Sequence, residues 1–311
     1  MRFDLTVPFA RFAAQHISTL GTPFKRYHMG TVWRGENTQR GRYREFMQCD
    51  FDTIGTTSAI SDLETVLVVH DLLTAIGIEK FTIRINDRRI LTGILEVLGL
   101  TGKTTHVLRC LDKVGKIPRD TLVRELQEQG VSETSVECIL GLGDLAGTAT
   151  AILSQLHDLV GMSEVGAEGI KAIGALLKGL SEVGVADDRI TLDPSIARGL
   201  DYYTGIVLES FLDELPDLGS VCSGGRYDNL AELYTKQSLP GVGASLGIDR
   251  LLAGLEELDK LRLTETPASI FLAYFDESFL GDYLRIAAAL RSHGLAVDLY
   301  PEPKKLGQQL K

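Results

Sequence analysis

The residues between Lys25 and Arg44 carry a concentration of positive charge that could bind phosphate. Six basic side chains fall in this stretch of a chain whose formal net charge is −10, opposed locally by Glu36 and Glu45. They are Lys25, Arg26, Arg34, Arg40, Arg42 and Arg44. Because an arginine guanidinium binds phosphate oxygens in pairs, the cluster suits a polyphosphate or the end of a nucleic acid. A solvated hairpin tip would carry the same residues, so that alternative stays open.

The segment 46–52 alternates side chains of two kinds. Residues two apart on a strand share a face, so Gln48, Asp50 and Asp52 lie with Phe46 on one face. The intervening residues are apolar and lie on the other face. Two carboxylates and an amide beside an arginine-rich loop could hold the ammonium group and the side chain of a small zwitterion. Polar residues of a strand also commonly face water, which is the alternative interpretation.

Two further segments combine a cation with glycines. In Arg198–Gly205, Arg198 and Tyr203 offer a cation and a phenol suited to a carboxylate or phosphate and to a polar ring. A turn before a strand would explain the glycines alone. In Gly241–Arg250, small residues permit a close approach of the backbone before a helix begins. Arg250 then falls in the first helical turn, where a cation opposes the helix dipole and suggests an anionic or aromatic ligand, unless it is a tolerated exposed arginine.

Around these residues the pattern predicts strands interrupted by a helical segment. Two β-rich runs within residues 24–55 flank a polar loop at 36–44, which is typical of a long antiparallel hairpin. The pattern then favours a helix at 61–76 and mostly helices from 89 to 187. The strands predicted outside the hairpin are residues 81–85, 190–192, 202–209 and 220–223.

The last part of the sequence predicts the beginning of an α/β domain. An amphipathic helix follows the segment 241–247 and ends near residue 258. A charged connector then leads to a strand, a helix and a strand, at residues 270–274, 279–293 and 295–300. Residues 304–311 resemble the first turns of a further helix.

Composition and charge exclude several classes of protein. The longest apolar run, Ile270–Phe275, is far shorter than the roughly 18 residues of a spanning helix, and no targeting segment follows Met1. The net charge of −10 argues against nucleic-acid binding over the whole surface but leaves room for a local basic patch. The four cysteines form no CxxC pair. They suggest neither a zinc site nor a disulfide framework, so a reducing, cytoplasmic setting is expected.

Taken together, four segments resemble the histidyl-tRNA synthetase family of class II aminoacyl-tRNA synthetases. Trp33–Asp52 resembles motif 2 of these enzymes, and Gly241–Arg250 resembles motif 3. Arg198–Gly205 and Ser223–Asp228 are similar to the two histidine-specific signatures. The resemblance extends over nearly the whole chain. It implies an α+β fold, in which the class II antiparallel sheet is flanked by helices, with a helical insertion and the start of a C-terminal α/β anticodon-binding domain.

The resemblance implies an enzyme, a histidine–tRNA ligase. Such an enzyme uses ATP and Mg²⁺ to convert histidine to histidyl-adenylate and transfers the histidyl group to the 3′ end of tRNA(His). The implied partners are histidine, ATP and tRNA(His), with a homodimer in the full-length family and no membrane. The implied ATP contacts are Arg34 at the α-phosphate, Arg42 at the outer phosphates, Phe46 and Arg250 around the adenine, and Glu36.

The resemblance also assigns a histidine pocket. Asp4, Thr6 and Gln48 are expected to contact the α-ammonium group of histidine. Asp52 and Tyr203 are expected to contact its imidazole, and Tyr227 is expected to line the pocket. Arg198 is expected at the carboxylate and the α-phosphate, and Arg198 and Arg34 are the expected catalytic residues. Gln39 is placed to meet the tRNA acceptor end. No residue is assigned to a metal.

The resemblance divides the chain into five parts. They are a first part of the catalytic core at 1–88, a helical insertion at 89–187, a second part of the core at 188–258, a linker at 259–267 and a partial anticodon-binding domain at 268–311. Motif 1, which in the family precedes the segment near Arg2 and builds the dimer interface, has no counterpart. The chain is therefore expected to be truncated at both ends relative to the family.

Two other functions fit the same fold. A non-catalytic paralogue serves as the regulatory subunit of ATP phosphoribosyltransferase in histidine biosynthesis, but it usually lacks the anticodon domain and loses the catalytic arginines. A synthetase-like sensor of uncharged tRNA would have lost part of the ATP site. Because Arg34, Arg198 and Arg250 are all present and residues 268–300 begin an extra domain, the enzyme is favoured.

Overall fold

The chain divides into two units, Met1–Glu257 and Leu258–Lys311. The computed structural model describes residues 1–115, 117–197, 199, 202–261 and 266–310. Within these ranges no helix is both long enough and apolar enough to cross a membrane.

The first unit begins with a helix and the predicted hairpin. Helix α1 is Thr6–Leu20, and the Asp4 carboxylate accepts the Val7 amide at 3.0 Å beside its first turn. Strands β1 and β2, Phe24–Trp33 and Glu45–Ile54, pair antiparallel along their whole length, with Arg26 opposite Asp52. The predicted long hairpin is confirmed.

A seven-stranded sheet forms the centre of this unit. Helix α2 is Ala59–Ala75. The remaining strands are β3 Phe81–Asp87, β4 Ile190–Leu192, β5 Ile206–Leu212, β6 Cys222–Tyr227 and β7 Gly241–Gly247. The order is β1-β2-β7-β6-β5-β3-β4, and all neighbours are antiparallel except β3 and β4. Because β7 lies between β2 and β6, the polar segment 46–52 is brought beside residues that lie far along the sequence.

The long stretch between β3 and β4 is helical, as predicted. Its α-helices are α3 Arg88–Val97, α4 Thr104–Leu111, α5 Arg119–Glu128, α6 Glu133–Gly141, α7 Ala149–Val160 and α8 Glu164–Glu182. Side chains cap the helix starts, since Ser132, Thr148 and Ser163 each accept a hydrogen bond from a backbone amide of the first turn. Helix α9, Ile248–Glu257, follows β7 directly.

Two strand predictions near the signatures were imprecise, and a third strand was not predicted. Strand β5 begins at Ile206 rather than at residue 202, because the Gly199 carbonyl accepts the amides of Tyr202 and Tyr203 and turns the chain there. Strand β6 begins at Cys222 and continues to Tyr227. The segment 241–247 is itself a strand, although its glycines have low β propensity, because pairing with neighbours on both sides overrides that propensity.

The second unit has the predicted strand–helix–strand order. Strands β8 and β9, Ile270–Leu272 and Val297–Leu299, pair in parallel on either side of helix α10, Leu280–Ser292. A short helix α11 follows at Leu306–Gln309. The Gln309 amide accepts from the Tyr274 backbone N–H at 3.0 Å and donates to its carbonyl at 2.7 Å.

Two glycines of α8 differ in their surroundings and test how closely the helices pack. An added Cβ at Gly169 would lie 2.9 Å from the Ile90 backbone nitrogen, whereas one at Gly174 would meet nothing within 4 Å. We expect Gly169→Ala to lower the free energy of unfolding by about 1–3 kcal/mol relative to Gly174→Ala, since both gain helix propensity and only Gly169→Ala overpacks α3. Urea unfolding followed by circular dichroism measures this difference. Equal stabilities would contradict the close contact.

Candidate functional site

The larger of two neighbouring cavities gathers the predicted ATP contacts. It has a volume of about 850 Å³, part of it open to solvent. All five predicted residues line it, namely Arg34, Glu36, Arg42, Phe46 and Arg250.

Arg34 lies between two aromatic rings at this cavity. Its Cζ is 4.5 Å from the ring centroid of Phe3 and 5.1 Å from that of Phe46. Its Nε donates to the Phe3 carbonyl at 3.2 Å. No carboxylate of the described residues forms an ion pair with Arg34, so its charge is held in place by rings and a carbonyl and is left to face an anion.

Arg250 connects the helix after β7 to the hairpin loop. Its Nε donates to the Gly41 carbonyl at 3.2 Å, and its Nη1 donates to the Ser220 carbonyl at 2.7 Å. The neighbouring Asp249 carboxylate accepts the Met47 amide at 2.6 Å. The two carbonyls offset the unfavourable position of a cation in the first helical turn. The same contacts fix the loop over the larger cavity.

Backbone hydrogen bonds within the hairpin loop hold its two sides together. Gln39 and Arg42 exchange backbone hydrogen bonds of 3.0 and 2.9 Å, and the Arg42 guanidinium pairs with Glu36 at 2.6 Å. Gln39 lines a third cavity, together with Arg40, outside the two main cavities. Gln39 is therefore bonded to Arg42 through the backbone but lines neither cavity of the predicted ATP and histidine contacts.

The smaller cavity gathers the predicted histidine contacts. It encloses about 510 Å³ and is lined by six of the seven predicted residues. They are Asp4, Thr6, Gln48, Asp52, Tyr203 and Tyr227. The seventh, Arg198, lies outside the described residues. Arg34, Gln48, Ser223 and Ser245 line both cavities, so the two form one continuous cleft.

Asp52 is the most strongly perturbed group of the smaller cavity. Its Oδ1 accepts the Tyr227 hydroxyl at 2.6 Å, and its Oδ2 lies 2.8 Å from Nη2 of Arg26. Burial raises the pKa of Asp52 to about 7, although Arg26 and Tyr227 oppose the rise. The carboxyl group therefore titrates in the physiological range.

Gln48 and Asp50 lie on the same face of β2 and are also buried. The Gln48 amide donates to the Ser245 hydroxyl at 2.5 Å, and the Thr6 hydroxyl donates to Asp50 at 3.3 Å. Burial raises the pKa of Asp50 as well. The polar face of the predicted strand thus faces the cleft rather than water.

Thr204 joins the two histidine signatures. Its amide donates to the Arg226 carbonyl at 2.8 Å, and its hydroxyl donates to the Asp228 carboxylate at 2.7 Å. Tyr203 is next to it in sequence, and Tyr227 is next to Arg226 and Asp228. Tyr203 and Tyr227, two of the tyrosines of the cavity, are therefore positioned by one set of contacts between the two segments.

Arg226 anchors the second signature to α2. Its side chain is 7% exposed and pairs with Asp62 at 2.8 Å and with Asp228 at 3.2 Å. It also donates to the carbonyls of Thr56 and Ser58, next to the start of α2. A fully bonded buried guanidinium of this kind rigidifies the end of β6.

Sequence reasoning missed several residues of the cleft. Ser223, Ser245 and Glu209 line it, and Arg26 lies behind Asp52. The position of Arg26 had a signal, because counting the register of the hairpin from its loop places it opposite Asp52. Ser223 and Ser245 also had a signal, because they lie within the segments Ser223–Asp228 and Gly241–Arg250. Glu209 had none, because it enters the cleft only through the pairing of β5 with distant strands.

The comparisons with known proteins agree with this geometry. A family model described as histidyl-tRNA synthetase matches residues 1–251. The chain belongs to the histidyl-tRNA synthetase family. It is 59% identical over 312 aligned residues to a histidine–tRNA ligase of Rhodopirellula baltica, which covers 100% of this chain and 71% of that protein. The resemblance inferred from four segments is confirmed.

Solved structures of the family share the fold. The histidyl-tRNA synthetase of Nostoc sp. PCC 7120 superposes with a TM-score of 0.83 at 33% identity, over 100% of this chain and 72% of that one. A protein of Bacillus halodurans described as an ATP phosphoribosyltransferase regulatory subunit/histidyl-tRNA synthetase has a TM-score of 0.75 at 23% identity, over 96% and 73% of the two chains. The latter likeness concerns the fold alone. The predicted α+β class, an antiparallel sheet flanked by helices, is confirmed.

The pKa of Asp52 makes the stability of the protein depend on pH. An unfolded aspartate has a pKa near 3.9, so between about pH 4 and 7 the folded state holds more protons and the free energy of unfolding falls as pH rises. One such group contributes a slope of up to about −1.4 kcal/mol per pH unit. We expect Asp52→Asn to remove this contribution, measured by urea unfolding at pH 5, 6, 7 and 8.

Asp158→Asn is the matched control for that experiment, because it removes a carboxylate whose side chain is 85% exposed. Its stability profile should run parallel to that of the wild-type chain. A parallel profile for Asp52→Asn would contradict the assignment.

Proposed function

We propose that this chain catalyses the ATP-dependent activation of histidine to histidyl-adenylate and the transfer of the histidyl group to the 3′ end of tRNA(His). The observation that carries the proposal is the continuous cleft, whose larger part is lined by all five expected ATP contacts and whose smaller part is lined by six expected histidine contacts. Membership of the histidyl-tRNA synthetase family supports the same reaction.

The first step is an in-line displacement at phosphorus. A carboxylate oxygen of histidine attacks the α-phosphorus of ATP, and the bond to the bridging oxygen of pyrophosphate breaks. In the second step a hydroxyl of the terminal tRNA ribose attacks the acyl carbon, and AMP leaves. No protein nucleophile is required, so the chain contributes orientation and positive charge.

The ATP part of the cleft supplies that charge. Arg34 would hold the α-phosphate, since it reaches both cavities and has its position fixed by Phe3 and Phe46. Arg42 would exchange its surface ion pair with Glu36 for the outer phosphates. Phe46 and Arg250 would enclose the adenine.

The histidine part of the cleft supplies acceptors for the amino acid. Asp4, Thr6 and Gln48 would receive the α-ammonium group, and Asp52 and Tyr203 would contact the imidazole. Tyr227 would form the wall of the pocket. Arg198 would neutralise the carboxylate and α-phosphate and is, with Arg34, the expected catalytic residue.

Mg²⁺ would enter with ATP rather than occupy a protein cage. The described residues contain no group of three or more histidine, cysteine, aspartate or glutamate side chains that could hold a metal ion. Magnesium is commonly bound by one or two carboxylates together with substrate phosphates, and Glu36 and Glu209 line the larger cavity. Bound there, the ion would neutralise the departing pyrophosphate.

The proposal extends to the division of the chain and to its partners. We infer a catalytic core at 1–88 and 188–258, an insertion at 89–187, a linker at 259–267 and part of an anticodon-binding domain at 268–311.

Gln39 would meet the acceptor end of the tRNA. A homodimer is supported by exposed apolar side chains on the outer face of the hairpin, among them Tyr27 and Met29. A cytoplasmic setting fits the four free cysteines.

The alternative function is that of a regulatory subunit without catalysis. The Bacillus halodurans neighbour carries that description in part, but its 23% identity supports only the fold. The retention of Arg34 and Arg250 at one cavity favours the enzyme.

Pyrophosphate exchange separates the two functions. We expect the 311-residue chain to exchange labelled pyrophosphate into ATP only when histidine is present, because adenylate formation is reversible. The control replaces histidine by histidinol, which lacks the attacking carboxylate. Absence of exchange, together with absence of ATP binding by calorimetry, would overturn the proposed function.

Phe46 tests the adenine position. We expect Phe46→Ala to raise the KM for ATP roughly 5- to 150-fold, which corresponds to the 1–3 kcal/mol of an aromatic–base stack, while the KM for histidine changes little. The matched control is Phe51→Ala, which lies on the other face of the same strand. A similar change in both variants would place the adenine elsewhere.

A further inference from the structure

Arg26 lies behind the histidine pocket and has no part in the roles assigned above. We propose that Arg26 is a positioning residue for histidine recognition, an inference that rests on the proposed function. Its guanidinium keeps the Asp52 carboxylate ionised and oriented, so that Asp52 can accept the imidazole N–H of the substrate.

The geometry places Arg26 where only Asp52 separates it from the pocket residues. The two lie opposite each other in the β1–β2 register, and Nη2 is 2.8 Å from Asp52 Oδ2. Arg26 itself is not part of the cavity lining, whereas Asp52 is. Any effect of Arg26 on a ligand therefore passes through Asp52.

Arg26 also joins the pocket to the start of α1. Its Nη2 donates to the Leu5 carbonyl at 3.2 Å, and its Cζ lies 4.2 Å from the ring centroid of Phe9. Leu5 stands between Asp4 and Thr6, the two residues proposed for the α-ammonium group. The Arg26 guanidinium thus fixes the spacing between Asp52, proposed for the imidazole, and the Asp4–Thr6 segment, proposed for the α-ammonium group.

Stability alone does not explain a buried arginine at this position. Its side chain is 9% exposed, and Nε and Nη1 are buried with no hydrogen-bond partner among the described residues. Unpaired buried donors cost free energy, and a buried ion pair is weak evidence for stabilisation. A local cost of this kind is typical of functional sites.

The hydrogen bonds of Asp52, which lines the cavity, leave acceptor capacity for a substrate. Oδ2 is buried against Arg26 in an ion pair without hydrogen-bond alignment. Oδ1 accepts the Tyr227 hydroxyl and, as a carboxylate oxygen, has a second lone pair. An ionised carboxylate can accept an imidazole N–H there, whereas a protonated one would offer a competing donor.

The charges that face Asp52 make Arg26 decisive for its ionisation. Burial raises the pKa of Asp52 most, and Asp50 on the same strand and Asp4 before α1 raise it further. The charge of Arg26 is the strongest influence that lowers it, and Tyr227 on β6 also lowers it by donating a hydrogen bond. Tyr203 also faces Asp52 and is neutral, because burial holds its own pKa well above 10. Loss of Arg26 would raise the pKa of Asp52 above its value of about 7, so a smaller fraction of the carboxyl would be ionised at neutral pH.

The test measures histidine binding and pyrophosphate exchange from pH 6 to 9. Arg26→Met removes the charge but keeps an apolar chain against Phe9. We expect it to raise the Kd and the KM for histidine roughly 10- to 100-fold at pH 7, and to move the acidic limb of kcat/KM for histidine upward by about one pH unit or more, at tenfold per unit. The KM for ATP should stay within about twofold. Arg26→Lys should restore most of the affinity and the pH limb.

The matched control is Arg84→Met. Arg84 also lies on a strand, 3.3 Å from a carboxylate, Asp193, and has its Cζ 4.7 Å from the ring centroid of Phe211, but unlike Asp52 that carboxylate lines neither cavity of the cleft. Arg84→Met should leave the acidic limb of kcat/KM for histidine unchanged. The titration of free histidine affects every variant equally, so it does not contribute to the difference between variants.

A double-mutant cycle decides whether Arg26 acts through Asp52. Arg26→Met in an Asp52→Asn background should cause little further loss of histidine affinity and no pH shift. Additive losses, or a loss by Arg26→Met that is equal at every pH, would overturn the inference and leave a merely structural role. If Arg26→Met does not fold, Arg26→Lys and Arg26→Gln complete the same cycle. A wild-type chain that binds no histidine would instead overturn the proposed function and this inference with it.

Discussion

The small residues of β7 are the constraint on which the cleft depends. Gly241, Gly243, Ser245 and Gly247 alternate along one face of a strand paired on both sides. A Cβ at Gly243 would collide with the Asp52 carboxylate, and one at Gly241 would collide with the Tyr227 ring. Ser245 has just enough side chain to bond Gln48. The absence of side chains at Gly241 and Gly243 is therefore what lets Asp52 of β2 and Tyr227 of β6 meet.

The close approach of β2, β6 and β7 buries ionisable side chains, which lowers the stability of the folded state. Asp50, Asp52 and Arg26 are buried together, and burial raises the pKa of both carboxyl groups. Such groups are expensive to desolvate, so the sheet around them must be stable for other reasons. The paired strands and the apolar residues that pack against α1 and α2 provide that stability. The proposed histidine pocket is thus a polar site that is costly to bury and is held by a rigid sheet.

The positive charge of the hairpin is distributed differently. Arg40 and Arg42 pair with glutamates on the surface, at distances of 3.2 and 2.6 Å to Glu257 and Glu36. Exposed pairs of this kind contribute little free energy, so a phosphate can replace the glutamate at small cost. Arg34 and Arg250 are instead fixed by rings and carbonyls. An acidic chain therefore keeps a local basic surface with both fixed and exchangeable cations.

The sequence by itself determined the hairpin and the helical stretch after β3, because strand alternation and turn residues act over short distances. Its resemblance to a known family named many of the residues that line the cleft. It did not determine where β5 and β6 begin, that Gly241–Gly247 is a strand, or that Glu209 and Ser223 join the cleft. Only the tertiary structure decided these points. Pairing between strands far apart in the chain overrides local propensity, and burial of Asp52 against Arg26 exists only once β1, β2 and β7 are assembled.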